Sequence, residues 1–133
     1  MRRTHTGGCH CGAVRYEAQL DLAEGTFRCN CSLCRRARSW VAGGMPEHLR
    51  IVAGEDVLGR YSATSPEHEH CFCTRCGIRV FSRGTIEGLG PFLTVQIASL
   101  DDASYEEAKT APVIFQDGLH NNWMNPPQDT RAL

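Results

Sequence analysis

The sequence has no surplus of either charge. Fourteen Lys and Arg stand against fifteen Asp and Glu, a formal net charge of −1 over 133 residues. Binding nucleic acid regardless of sequence runs on excess positive charge, so a nucleic-acid partner is not expected. No apolar run approaches the ~18–20 residues a membrane helix needs, which argues against a membrane partner. The opening Met-Arg-Arg-Thr-His-Thr-Gly-Gly lacks the apolar stretch of a secretory leader, so a cytoplasmic location is expected. There is no linker, no low-complexity tract, no fold-scale repeat and no phosphate-cradling loop; Gly7-Gly8 reads as a turn before the first strand. One domain over residues 1–133 is predicted, its core from about residue 5 to 123 and an extended tail over 124–133. Oligomeric state leaves no mark in the sequence.

Against these absences stand eight cysteines. Structural disulfides belong to oxidising compartments and need cysteines spread widely enough to close loops. Here they cluster as Cys9 and Cys11, then Cys29, Cys31 and Cys34, then Cys71, Cys73 and Cys76. Neighbours one or two residues apart are poor disulfide partners and good joint ligands for one ion. Metal binding is the reading that fits.

The elements around them are mostly strands. Residues 13–20 alternate, with Val14, Tyr16, Ala18 and Leu20 on one face and Arg15, Glu17 and Gln19 on the other. Residues 49–53 and 57–63 read as two more strands about Gly54. Residues 68–73 and 78–83 read as a pair joined by Cys-Thr-Arg-Cys-Gly, and 92–98 alternates with Leu93, Val95 and Ile97 inward. One short helix is predicted at about 102–109, capped by Asp101 or Asp102, with Pro112 beyond its end. The class is mainly β.

Zinc in a structural site takes four ligands in a tetrahedron, commonly from close Cys pairs. Cys73-x-x-Cys76-Gly77 has the knuckle form, two thiolates on one turn followed by a glycine free to take positive φ. Cys9-x-Cys11-Gly12 resembles half of such a grip, and its i, i+2 spacing puts both sulfurs on one side of an extended segment with His10 pointing away. Joining the two pairs closes a loop of more than sixty residues and staples the first strand to the later sheet. Cys29, Cys31 and Cys34 offer three ligands, and a catalytic zinc keeps three protein ligands and an open position. Three thiolates leave the zinc electron-rich, a poor acidifier of water but able to bind an external thiol and ionise it. Cys71 decides how far this goes. Spare, it leaves the second site open; as a fourth ligand, it closes that site and removes the case for an enzyme. Exchanging with Cys73 is a third arrangement, because the two share a strand face.

Gly8-Cys9-His10-Cys11-Gly12-Ala13-Val14-Arg15-Tyr16, Cys29-Asn-Cys31-Ser-Leu-Cys34-Arg35, Phe72-Cys73-Thr-Arg-Cys76-Gly77 and Val95-Gln-Ile-Ala-Ser-Leu-Asp101 stand in order along the chain. Together they resemble the glutathione-dependent formaldehyde-activating enzyme and centromere-protein-V family, and Gln116-Asp117-Gly118-Leu-His120-Asn-Asn-Trp123 resembles its C-terminal signature. The resemblance implies a mainly β, single-domain Mss4-like (β-tent type) fold, antiparallel sheets stapled by zinc with at most short helices. It implies two Zn²⁺ per chain, a structural one on Cys9, Cys11, Cys73 and Cys76 and a catalytic one on Cys29, Cys31 and Cys34, with no ligand at the place of Cys71. The family's named activity, condensation of formaldehyde with glutathione, is that of a carbon–sulfur lyase. The chain is shorter than the formaldehyde-activating enzymes themselves, which leaves its own thiol and aldehyde unspecified.

Among other candidates, Arg35 and Arg36 follow the triplet and could hold the carboxylates of a glutathione-like thiol, while Arg38 could join them in neutralising the zinc site. A solvated turn explains the same charges. His10, His68, His70 and His120 have no fixed spacing, so surface or hydrogen-bonding roles account for them, with His120 favoured slightly by its place in the signature. His70 lies on the opposite strand face from Cys71 and Cys73. Trp40 and Trp123 read as packing groups. The expectation is an enzyme acting on a small thiol and an aldehyde or their adduct; the alternative is a zinc-stabilised binding module with two structural sites.

Overall fold

The computed structural model describes residues 1–63 and 65–133. Ten strands run in chain order as Arg3–Gly8 (β1), Arg15–Leu20 (β2), Thr26–Cys29 (β3), Trp40–Gly44 (β4), Leu49–Ala53 (β5), Leu58–Tyr61 (β6), Glu69–Cys73 (β7), Arg79–Ile86 (β8), Gly90–Gln96 (β9) and Val113–Gln116 (β10). Two short helices, Ser32–Ala37 (α1) and Asp102–Ala108 (α2), interrupt them. The strands form a three-stranded sheet, β1-β2-β5, and a seven-stranded sheet, β10-β3-β4-β9-β8-β7-β6. The fold is mainly β, as the alternating runs predict. Among the described residues no helix is long and apolar enough to cross a membrane.

The core lies between the sheets. Val14, just ahead of the smaller sheet, and Tyr16, Ala18 and Leu20 on its β2 are each 1% exposed or less, as are Leu93, Val95 and Ile97. Burying each such apolar side chain contributes roughly 1.5–3 kcal/mol. Tyr16 meets Phe81 edge to face at 5.8 Å between centroids, and its hydroxyl shares a 2.5 Å hydrogen bond with Ser99 Oγ. That bond satisfies the one polar atom the ring brings inside.

Two features depart from expectation. The sheets are not purely antiparallel, because β10 runs parallel to β3, Val113 opposite Thr26 and Gln116 opposite Cys29. Most of the chain separates the two strands, which leaves ample length for the crossover that parallel neighbours need. Asp101 occupies the N-cap position of α2 but makes no capping bond with its side chain. Its carboxylate instead takes the Arg15 fork at 2.9 and 2.6 Å and the Thr6 hydroxyl at 2.5 Å, so it docks the helix onto the small sheet.

The register of the large sheet determines what reaches its outer face. Cross-strand partners share a face. Thr26, Ala42, Val95, Phe81 and Cys71 form one row towards the core, each 1% exposed or less. Their neighbours along each strand point away, among them Cys29 on β3, Val41 on β4, Gln96 on β9, Ser82 on β8 and His70 on β7. A bulge breaks the alternation in β8: Cys71 faces Phe81 but Phe72 faces Arg79, leaving Val80 unmatched. The extra residue moves Arg79 onto the outer face beside Ser82 and His70. After Asn121 the chain runs through turns, not as an extended tail, because the Asp117 N–H bonds to the Asn125 carbonyl at 3.1 Å and folds it back. It returns far enough for Arg38 Nη1 to donate to the Ala132 carbonyl at 2.7 Å.

Candidate metal centres

The described residues hold two sulfur clusters, one of Cys9, Cys11, Cys73 and Cys76 and one of Cys29, Cys31 and Cys34. Within each, the sulfurs lie within 4.8 Å of one another, and all eight cysteines are unbridged.

The four-sulfur cluster is made by two hairpin turns of one design. Between β1 and β2, the Cys9 N–H donates to the Val14 carbonyl at 3.1 Å and the Val14 N–H returns to Cys9 Sγ at 3.2 Å. Between β7 and β8, the Cys73 N–H donates to the Ile78 carbonyl at 3.0 Å and the Arg75 N–H points at Cys73 Sγ at 3.3 Å. Gly12 and Gly77 close the two turns at φ +84° and +78°, where a side chain would be strained. Cys9 and Cys11 therefore face each other across a tight turn, not along an extended segment. Cys11 Sγ lies 3.7 Å from both Cys9 Sγ and Cys73 Sγ. A tetrahedron with Zn–S of about 2.3 Å has edges of about 3.8 Å, so the donor set fits zinc. Backbone N–H groups of Cys11 and Ile78 lower the Cys76 thiol to about 6, favouring the thiolate a metal needs.

The three-sulfur cluster wraps the end of β3 and the start of α1. Cys29 closes the strand, the Cys31 N–H points at Cys29 Sγ at 3.3 Å, and Cys31 caps the helix by accepting the Cys34 N–H at 3.4 Å. Hydrogen bonds from Cys29 and then Cys34 push the Cys31 thiol down, making it the first of the three to ionise. This donor set also suits a thiophilic cation, and it leaves a fourth position without a protein sulfur.

Cys71 belongs to neither cluster. It lies in the core, wholly buried, across from Phe81, and burial pushes its thiol up to about 11. A Cys71→Ala protein is therefore expected to bind as much zinc as the parent by atomic absorption. It should lose about 1 kcal/mol from the small cavity, read from the denaturant midpoint.

Comparison with known proteins adds a lineage to this geometry. The sequence profile of the family described as "Glutathione-dependent formaldehyde-activating enzyme" matches residues 4–117. The chain belongs to this family. A relative in Halomonas elongata, named "Putative glutathione-dependent formaldehyde-activating enzyme", is 36% identical over 81 residues, 53% of this chain and 50% of that protein. The chain thus spans about half the length of the curated relative it matches. The crystal structure of a Rhodobacter sphaeroides protein is similar at 30% identity and a TM-score of 0.69, covering 82% of this chain and 99% of that one.

In this formaldehyde-activating-family chain, the triplet is walled on two sides. A narrow cleft runs against Cys29 and Cys34, lined by Arg28, Arg35, Arg38 and Ser39 and closed along one edge by Ala132 and Leu133. Arg35 lines this cleft. Arg36 does not: its guanidinium donates to the Ser32 carbonyl at 3.1 Å on the exposed side of α1, because the helix carries successive residues to different faces. Arg28 and Arg38 hold the wall in its place. Arg38 reaches it because α1 ends there in the left-handed conformation at φ 54°, turning the chain back. Arg28 stacks on Trp40 at 4.7 Å.

The other wall is the signature loop. A Cβ on Gly118 would fall 2.7 Å from Cys29 Sγ and 2.6 Å from the Trp123 ring, so only glycine lets the loop lie this close. Asn30, between two of the cysteines, donates to Asp117 Oδ1 at 2.8 Å and accepts the Leu119 N–H at 2.9 Å. Asp117 also takes the His120 Nδ1 proton at 2.9 Å, which leaves the exposed His120 ring with Nε2 free. His10 is exposed beside the other cluster, and His68 packs against His70 and Phe92 at 4.6 Å. Arg28 and Arg79 carry no signal in the sequence. Each owes its place to cross-strand register, which single-strand patterning does not contain.

Proposed function

We propose that this chain makes and breaks the carbon–sulfur bond between a glutathione-like thiol and a small aldehyde, formaldehyde being the one the family description names. The observation that carries this reading is the cleft, where two cysteines of the triplet share walls with three arginines and no acidic side chain. Thiol chemistry sits there beside a site for carboxylates. Cys9, Cys11, Cys73 and Cys76 would hold a structural Zn²⁺, and Cys29, Cys31 and Cys34 a second. When bound at the triplet, Zn²⁺ supplies a fourth coordination position that ionises a thiol.

The chain's own residues do the remainder. Arg28, Arg35 and Arg38 bind the carboxylates of the thiol and fix its sulfur towards the triplet, with Arg38 exchanging the Ala132 carbonyl for the ligand. The sulfur lone pair forms the new bond to the carbonyl carbon, and the π pair moves onto oxygen. One proton passes from the thiol to that oxygen, so nothing is oxidised. His120, whose Nδ1–H is held by Asp117, would carry this proton at Nε2. The reverse path releases thiol and aldehyde, which makes the reaction class carbon–sulfur lyase.

The test is the rate of exchange between free formaldehyde and its glutathione adduct at equilibrium, followed by NMR. Zinc-loaded protein is expected to raise it at least about tenfold above buffer, and chelator-stripped protein is not. Zinc-loaded protein that leaves the exchange rate at the buffer value overturns the reading.

A further inference from the structure

Arg79 raises a problem of charge. The outer face of the large sheet carries its guanidinium inward from the start of β8. Nη1 donates to Ser39 Oγ at 3.0 Å, and Nη2 to His70 Nδ1 at 3.0 Å and Ser82 Oγ at 3.3 Å. Nε is buried with no hydrogen-bond partner among the described residues. Every partner it has is neutral or can be. Because Arg only donates, His70 Nδ1 must accept, which puts that ring's proton on Nε2 and leaves the ring uncharged. Burial holds His70 in that form, lowering it to about 4. Cys71, also nearby, remains a thiol. Among the described residues Arg79 joins no ion pair, although its Nε is wholly buried; arginines 3, 15, 50, 60, 83 and 131 each have a carboxylate, and arginines 2, 35, 36, 38 and 75, which have none, are exposed to solvent. A guanidinium so placed is costly unless a negative charge lies close by.

The triplet supplies that charge. Ser39, which takes the Arg79 bond, lines the cleft with Cys29 and Cys34, and its N–H bonds to the Cys34 carbonyl at 3.0 Å. Arg79 is thus one residue away from the metal-binding turn. Burial works to strip its proton, and Cys34 and Cys31, once they are thiolates, oppose this. Three thiolates outweigh one divalent cation, so a loaded triplet keeps a negative charge that one guanidinium balances.

We propose that Arg79 is the fixed counter-charge of the three-cysteine site, a positioning residue that makes its metal-loaded, anionic form the stable one. The proposal rests on the reading that the triplet holds a metal. It assigns to β8 the neutralising task that the arginines after the triplet could have been given, and so leaves Arg28, Arg35 and Arg38 uncommitted for the carboxylates of a ligand. Gln96 Nε2 against Ser39 Oγ at 3.5 Å steadies the relay between the two.

The experiment loads the full chain with cobalt(II), whose tetrahedral thiolate bands report each site, and titrates it with a chelator. The parent is expected to hold two cobalt ions. Arg79→Gln, which keeps donors for Ser39 and His70 but no charge, should keep the tighter ion and weaken the other by about 10–100-fold. Arg79→Lys, which restores the charge, should return it to within about threefold of the parent. The four-sulfur cobalt is the internal report on folding. Two outcomes overturn the counter-charge alone: parental affinity in Arg79→Gln, or equal weakening in Arg79→Gln and Arg79→Lys. A parent that binds a single cobalt overturns the metal reading of the triplet and this proposal with it. If Arg79→Gln fails to fold, the Arg79→Lys affinity and that of Arg79→Met decide between the same outcomes.

Discussion

A Cys73→Ser protein is expected to be unfolded at 25 °C, however much zinc is supplied. Cys73 is wholly buried and joins the β7–β8 turn to Cys11, 62 residues earlier, at a sulfur separation of 3.7 Å. Binding free energies of about 10–16 kcal/mol are typical of structural zinc on thiolates, against a typical domain stability of about 5–15 kcal/mol. A site of this kind therefore carries most or all of the margin that keeps a domain of this size folded. Serine offers a weaker, protonated ligand and leaves a hydroxyl buried among sulfurs. The loss should appear as missing near-ultraviolet dichroism and collapsed amide dispersion in the NMR spectrum. A cooperative melt with native dispersion would mean that the core between the sheets holds without the staple.

Cys31→Ser should do the opposite. The cysteine is half-buried on a surface helix of six residues, and its role in the fold is to cap the Cys34 N–H. Serine is among the best N-caps, so the helix keeps its start and stability should change by no more than about 0.5 kcal/mol. What would be lost is the middle one of the three sulfurs proposed to hold the second metal. The folded variant is expected to contain one zinc in place of two, and to leave adduct exchange at the buffer rate, a loss of at least about tenfold or about 1.4 kcal/mol of transition-state stabilisation. Global unfolding would instead mark the second metal as structural and favour a binding module. These two substitutions, alike in chemistry, separate the two sites by what each one holds.

Much of this is legible in the sequence itself. Alternation along residues 13–20 and 92–98 marks the faces that prove buried in β2 and β9, because a half-buried strand writes its environment with period two. The cysteine spacing is legible for a different reason: two sulfurs on one tight turn are a local property, and both turns are closed by the glycine that follows. What escaped is non-local. Gly7 and Gly8 read as a turn, yet they end β1, where a Cβ on Gly7 would strike the Tyr16 hydroxyl and the Ser99 carbonyl. β3 and β4 are short and flank the triplet, and β10 gains its strand character only by lying parallel to β3. Arg79 was invisible because of the unmatched Val80. Counting by twos from Ser82 puts Arg79 on the opposite face, and only the bulge reverses that.

The two sulfur clusters also differ in when they can come into being. Cys29, Cys31 and Cys34 are neighbours in any conformation of the chain, so an ion can be gripped there with almost no loop to close. Bringing Cys11 to Cys73 closes 62 residues, an entropic cost of about 3.7 kcal/mol that only sheet formation repays. The triplet can therefore take up metal while the chain is still largely open. The staple can be filled only as the two sheets meet, so its occupancy records that folding is complete.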